Sequence, residues 1–258
     1  MHPLIARFLD LPATVAVLEK RGPSQDPDEA ALLAEAEKAP GDRSTILLTK
    51  GRAQPSSEVQ QTAIVLLTRA ASARLKDDPT LGPKAAAARA SLAAEGATAE
   101  EADALIAQVL LEEAFGYASD PSHFDQELVA ETLDSLIPLS KLKTELVDDW
   151  LDQFAKSGPK STSALRLSVA ETLFEAAWSD GPQPISLEHL DDTLERLTAH
   201  VASTDLVAAR GALGELLGFL RDKAIVGPER FLRLTQLLES ASTEPSTHAD
   251  EEAEDEDG

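Results

Sequence analysis

The chain has 258 residues, of which 43% are hydrophobic and 4% aromatic, and its 23 Lys and Arg face 46 Asp and Glu for a net charge of −23. That charge disfavours nucleic-acid backbones and anionic membranes as direct partners, and no run of basic residues offsets it. With no cysteine, disulfides, thiolate metal sites and a cysteine nucleophile are excluded.

The apolar content is carried largely by Ala and Leu, the best helix formers, whereas a sheet would favour β-branched and aromatic residues. Composition therefore points to an all-α fold. The stretch Met1 to Glu19 has one basic residue before Asp10 and no apolar run of secretory length. Runs such as Ala63 to Leu67 are too short to span a bilayer, so no membrane insertion is expected and the expected address is the cytoplasm.

In chain order, Leu4, Ile5, Phe8, Leu11, Val15 and Leu18 recur at helical steps, with a break expected near Pro12. Asp26-Pro27-Asp28-Glu29 reads as a cap and acidic first turn for a short helix ending near Lys38. Ser44 to Thr49 could be a strand, but a lone strand has no partner, and a short helical turn is the better reading. Pro55-Ser56-Ser57-Glu58 opens a long helix through Lys76, ended by Asp77-Asp78-Pro79. Another runs from about Pro83 to Glu95. Thr98-Ala99-Glu100-Glu101 has the form of a capping box, and its helix should stop near Ser119-Asp120-Pro121.

Phe124 to Ile137 is the next helix, expected to end before Pro138. Ser140 to Lys156 follows, then Thr162 to Trp178. A helix from Ser186 toward Ala202, one over Leu206 to Lys223 and one over Pro228 to Ser240 complete about ten to twelve. Hairpins beginning near 55, 98, 140 and 186 suit either a HEAT-like solenoid of antiparallel helical hairpins or a globular helical bundle. Three regions result. Residues 1–51 form an N-terminal helical segment with Pro- and Gly-rich linkers, 52–241 a helical-hairpin domain, and 242–258 an acidic tail expected to be disordered.

Candidate chemistry is sparse. The five histidines are His2, His123, His189, His200 and His248, and neither His-Glu-x-x-His nor Glu-x-x-His occurs. His189 and His200 share a helix face but lie ~16 Å apart along it, too far to share an ion. Gly158-Pro159-Lys160-Ser161-Thr162 resembles the end of a phosphate loop but lacks its first glycine, and reads as a turn. Asp180-Gly181 lacks the upstream ligands of a calcium loop. The carboxylate pairs Glu112/Glu113, Glu127/Glu131, Asp148/Asp149/Asp152 and Asp191/Asp192/Glu195 are all expected on exposed helix faces. Trp150 and Trp178, each one turn from a phenylalanine (Phe154, Phe174), are expected in the core.

Ala176-Ala177-x-x-Asp180-Gly181, followed by a helix bearing acids, resembles the helical domains of tellurite-resistance B type over some twenty residues. The loop departs from theirs, and the resemblance carries no function over.

No residue is assigned to catalysis, cofactor binding or metal, and no cofactor is implied. The expected function is that of a non-enzymatic protein–protein interaction protein, a helical scaffold, adaptor or regulatory subunit. Its acidic surface would meet another protein with a basic surface. The alternative is an enzyme or metal-binding helical bundle using clustered carboxylates.

Overall fold

The computed structural model describes residues 1–20, 22–49, 56–113, 124–179 and 181–243. Gly51, Pro55, Phe115, the Ser119-Asp120-Pro121 stop, His123, Asp180 and the tail from residue 244 lie outside them. The described residues form thirteen α-helices and no strand, an all-α fold. None of the helices is long and apolar enough to cross a membrane.

The N-terminal face divides into α1 (Pro3–Phe8) and α2 (Leu11–Leu18). The break falls at Leu9-Asp10, before Pro12, because a proline in the first turn starts a helix without losing a bond. In α3 (Pro27–Lys38), the Asp26 carboxylate accepts from the amides of Asp28 and Glu29. The Ser44 to Thr49 segment is helical, within and just after α4 (Pro40–Leu47). Next come α5 (Ser57–Arg74), which tightens into a 3₁₀ turn over Leu75–Asp77, and α6 (Leu81–Ala94). The capping box at Thr98 forms in full at the start of α7 (Ala99–Glu112).

Helix α8 (Gln126–Ser140) runs through Pro138, against the sequence expectation. The proline sits in the last turn, where its missing N–H costs a single bond. Ser140 then closes α8, its hydroxyl donating to the Ile137 carbonyl at 2.8 Å, so that α9 (Thr144–Lys156) starts four residues later than expected. The remaining helices are α10 (Ser163–Trp178), α11 (Leu187–His200), α12 (Leu206–Asp222) and α13 (Pro228–Thr243). The last continues past Ser240, the expected end, because Ala241 still packs on apolar neighbours.

Two apolar clusters organise these helices. The first gathers buried residues from Met1 to Leu136, the second from Leu139 to Leu238. In the first, α3 and α7 both pack on α5, and α6 packs on α8, the alternate-helix stacking of a hairpin array. The stack does not continue into the second cluster, where α9, α11 and α12 all pack against a central α10. Helix α13 joins the two, packing on α11 and α12 and returning to α8.

Candidate interaction surface

The residues singled out from sequence separate into buried and exposed sets. Trp150 and Phe154 are buried, and Trp150 meets Phe219 edge-on at 6.4 Å between centroids. Phe174 stacks on Trp178 at 4.3 Å, and the Trp178 indole donates to the Gln183 carbonyl at 2.8 Å. Gly158-Pro159 is a turn, and its glycine has a specific reason. An added Cβ would stand 2.9 Å from the Arg166 side chain, which crosses the turn to donate to the Phe154 carbonyl and the Ser157 hydroxyl. Arg166 also lies over the Phe154 ring and pairs with Glu215, tying α9, α10 and α12 together.

His189 closes the cap at the start of α11. Its amide donates to the Ser186 hydroxyl at 3.1 Å, and its Nδ1 accepts from the Ser186 amide at 3.2 Å. Histidine thus stands where a capping box normally has Glu or Gln. Burial pushes its pKa below the ordinary value, against the pull of Glu188.

Glu112 and Glu113 are a correction to the sequence reading, because α7 ends inside the molecule where the two clusters meet and carries both inward. Arg230 of α13, its side chain 3% exposed, donates to Glu112 at 2.9 Å and to the Ile185 carbonyl at 3.2 Å. Burial pushes the Glu112 carboxyl up, opposed by the Arg230 charge. Glu113 accepts from the Asp125 amide at 3.2 Å. Arg233 pairs with Asp125, and Glu131 accepts from the Glu229 amide at 2.9 Å, capping α13 from α8. Gly227 permits that cap, since a Cβ there would lie 2.5 Å from Glu131 Oε2. These contacts tie the two clusters together, and Glu113 Oε2 is buried without a hydrogen-bond partner among the described residues.

The other side of α13 is open. Between α11 and α13 lies a shallow groove of about 390 Å³, with Leu194, Ala199 and Ala241 on its floor and Asp191 and Glu195 on its rim. Between α12 and α13 lies a second, of about 370 Å³, lined by Val207, Gly211, Gly214, Leu238, Arg210 and Glu239. Val207, Gly211 and Gly214 fall at i, i+4 and i+7 on one face of α12. A Cβ on Gly211 would meet nothing within 4 Å, so the glycine leaves the groove unfilled. Val207 is 82% exposed, the most exposed large apolar residue among those described. Asp191, Glu195 and Glu239 form no ion pair among the described residues. The chain leaves α13 at Thr243 into residues 244–258, whose sequence holds eight acids and no Lys or Arg.

Three structural features escaped the sequence reading, and each had a signal. Arg166 lies on the stripe shared by Val169, Ala170, Leu173 and Ala177, where a cation is out of place unless paired. Arg230 stands in the first turn of α13, where a cation opposes the helix dipole and needs a compensating anion. The Val207-Gly211-Gly214 spacing marks a helix face stripped of side chains. Among the described residues, no group of three or more His, Asp or Glu could hold a metal ion. No protein family, curated protein or solved structure matches the chain.

Proposed function

We propose that the chain is a cytoplasmic, non-enzymatic interaction protein whose α11–α13 face receives a basic, amphipathic helix of a partner protein. The reading is carried by one observation, two apolar-floored grooves flanking α13 with Asp191, Glu195 and Glu239 unpaired on their rims. An amphipathic helix lays apolar residues at i, i+3, i+4 and i+7 into such grooves. Lys or Arg on its flanks would meet the rim carboxylates, and the chain's net charge of −23 favours the approach of such a cationic partner.

The probe is a synthetic helical peptide with Leu at the groove positions and Lys elsewhere, titrated calorimetrically into the full chain. A second peptide carries Glu for every Lys. Binding of the Lys peptide alone is expected, weakening as salt rises from about 0.1 to 1 M and the screening length falls from ~10 to ~3 Å. Glu195→Lys and Val207→Asp should each weaken it. Equal binding of both peptides, or indifference to both substitutions, removes the proposal.

A further inference from the structure

A half-open cavity of about 340 Å³ lies far from α13, between α3, α5, α6 and α7. It exists because small residues meet where α3 and α7 cross α5, with Ala39, Ser72, Ala73 and Ala104 leaving room that larger side chains would fill. Its volume falls within the ~300–1,000 Å³ of small-molecule pockets.

Charge lines the walls in equal numbers, Lys38, Arg69 and Arg89 against Glu35, Glu100 and Asp103. Two of these pairs are satisfied within the protein, Lys38 with Glu35 at 2.7 Å and Arg89 with Asp103 at 2.6 Å. Arg69 and Glu100 remain. The nearest carboxylate to Arg69 is Asp42 at 3.9 Å, the outer limit of an ion pair, and Glu100 has no ion partner among the described residues. On the floor, Ser72 is 5% exposed overall, and its hydroxyl bonds no protein group among the described residues and is reached by solvent from the cavity. The cavity thus offers one under-used cation, one unpaired anion and one unpartnered hydroxyl.

A ligand with a single charge would engage Arg69 or Glu100 and be repelled by the other. We propose that the cavity binds a small zwitterion of the free amino-acid class, its carboxylate toward Arg69, its ammonium toward Glu100 and a polar side chain toward Ser72. The proposal is independent of the α13 surface, and the peptide experiment neither supports nor weakens it.

The test follows backbone amide shifts of the isotope-labelled full chain on addition of L-glutamine, L-serine, propionate or ethylammonium. At least one amino acid should give saturable shifts at Ser72, Ala73 and Ala104, with both single-charge probes about tenfold weaker. Arg69→Gln should weaken amino-acid binding about tenfold and Ser72→Ala about threefold. Should Arg69→Gln fail to fold, Ser72→Ala, which removes one oxygen and no charge, still decides. Absence of saturable shifts with both amino acids up to about 10 mM overturns the proposal. Equal shifts with propionate or ethylammonium, or affinity unchanged by Ser72→Ala, also overturn it.

Discussion

In the first apolar cluster helices approach across alanines, with Ala36, Ala63, Ala70, Ala71, Ala85 and Ala88 among its buried residues and Phe8 the one buried phenylalanine among the described residues. In the second, Trp150, Phe154 and Phe174 are buried, and Phe219, Phe231 and Trp178 pack around them. Small residues let helices come close but fill little volume where three of them meet, and the polar cavity beside Ser72 opens at such a place. Rings pack around α10, while the small residues of α12, Gly211 and Gly214, line the groove that faces α13. One packing style therefore leaves an internal polar recess, and the other an external apolar groove.

Arg230 is the strongest point at which to break the contrast, because it links the clusters. Arg230→Met keeps the side-chain volume but leaves Glu112 without its cation, and should cost about 4 kcal/mol at neutral pH by denaturant unfolding. The loss should shrink in acid. Without Arg230 the buried Glu112 carboxyl has a raised folded-state pKa and the unfolded chain an ordinary one. The variant's folded state thus binds a proton first, and its stability recovers as pH falls through the raised value. A deficit that grows below neutral pH would show that desolvation of Glu112 is not the cause.

The first cluster carries its own acid sensitivity. The His2 ring accepts from the Leu4 amide at the start of α1 and packs edge-on against Phe124 at 5.2 Å. Burial is the main cause that lowers its pKa from 6.5 to about 4. A lowered histidine stabilises the fold fully above its unfolded value and loses that contribution as pH falls from 6.5 toward 4. At 1.36 kcal/mol per unit the contribution is at most about 3 kcal/mol. His2→Asn, which keeps an acceptor for the cap, should flatten this part of the stability profile.

The second cluster has a steric counterpart. Gly158→Ala places a methyl against the Arg166 side chain, which is held at Phe154, Ser157 and Glu215. A cost of about 2 kcal/mol is expected in thermal or denaturant unfolding. The double variant with Arg166→Met should recover part of that cost if the clash is its source.

Helix positions were legible because apolar residues recur every three or four positions and Asp26, Thr98 and Ser186 mark their starts. Interior polar contacts were not. Glu112 and Glu113 look like any exposed acidic pair until Arg230 of α13 is known to reach Glu112 at the end of α7, a contact more than a hundred residues away in sequence. The extension of α8 past Pro138 was hidden because a proline's cost depends on how many turns follow it. The cavity was illegible for the same reason as the junction, since it draws on four helices. The grooves were partly legible, in the Val207-Gly211-Gly214 spacing and in the acids of α11.

The smallest expected effects come from two capping boxes, one in each cluster. Thr98 is exposed and its box closes on Glu101, whereas Ser186 is buried and its box closes on His189. Thr98→Ala should cost about 1 kcal/mol or less, because water replaces the lost acceptor. Ser186→Ala should cost about 1–2 kcal/mol, because the His189 amide is left facing protein. Their pH dependence should differ as well. Burial lowers the His189 pKa, so the neutral ring that accepts from the Ser186 amide stabilises the fold fully above the ordinary 6.5, and that contribution is lost as pH falls from there through the lowered folded-state value. The Thr98 amide and hydroxyl hold the Glu101 carboxyl below its ordinary 4.5, so that box keeps its contribution down to that pH and loses it only below. Between pH 6.5 and 4.5, the penalty of His189→Ala should shrink with acidity while that of Thr98→Ala stays constant. Parallel behaviour of the two variants would place the His189 ring outside the cap.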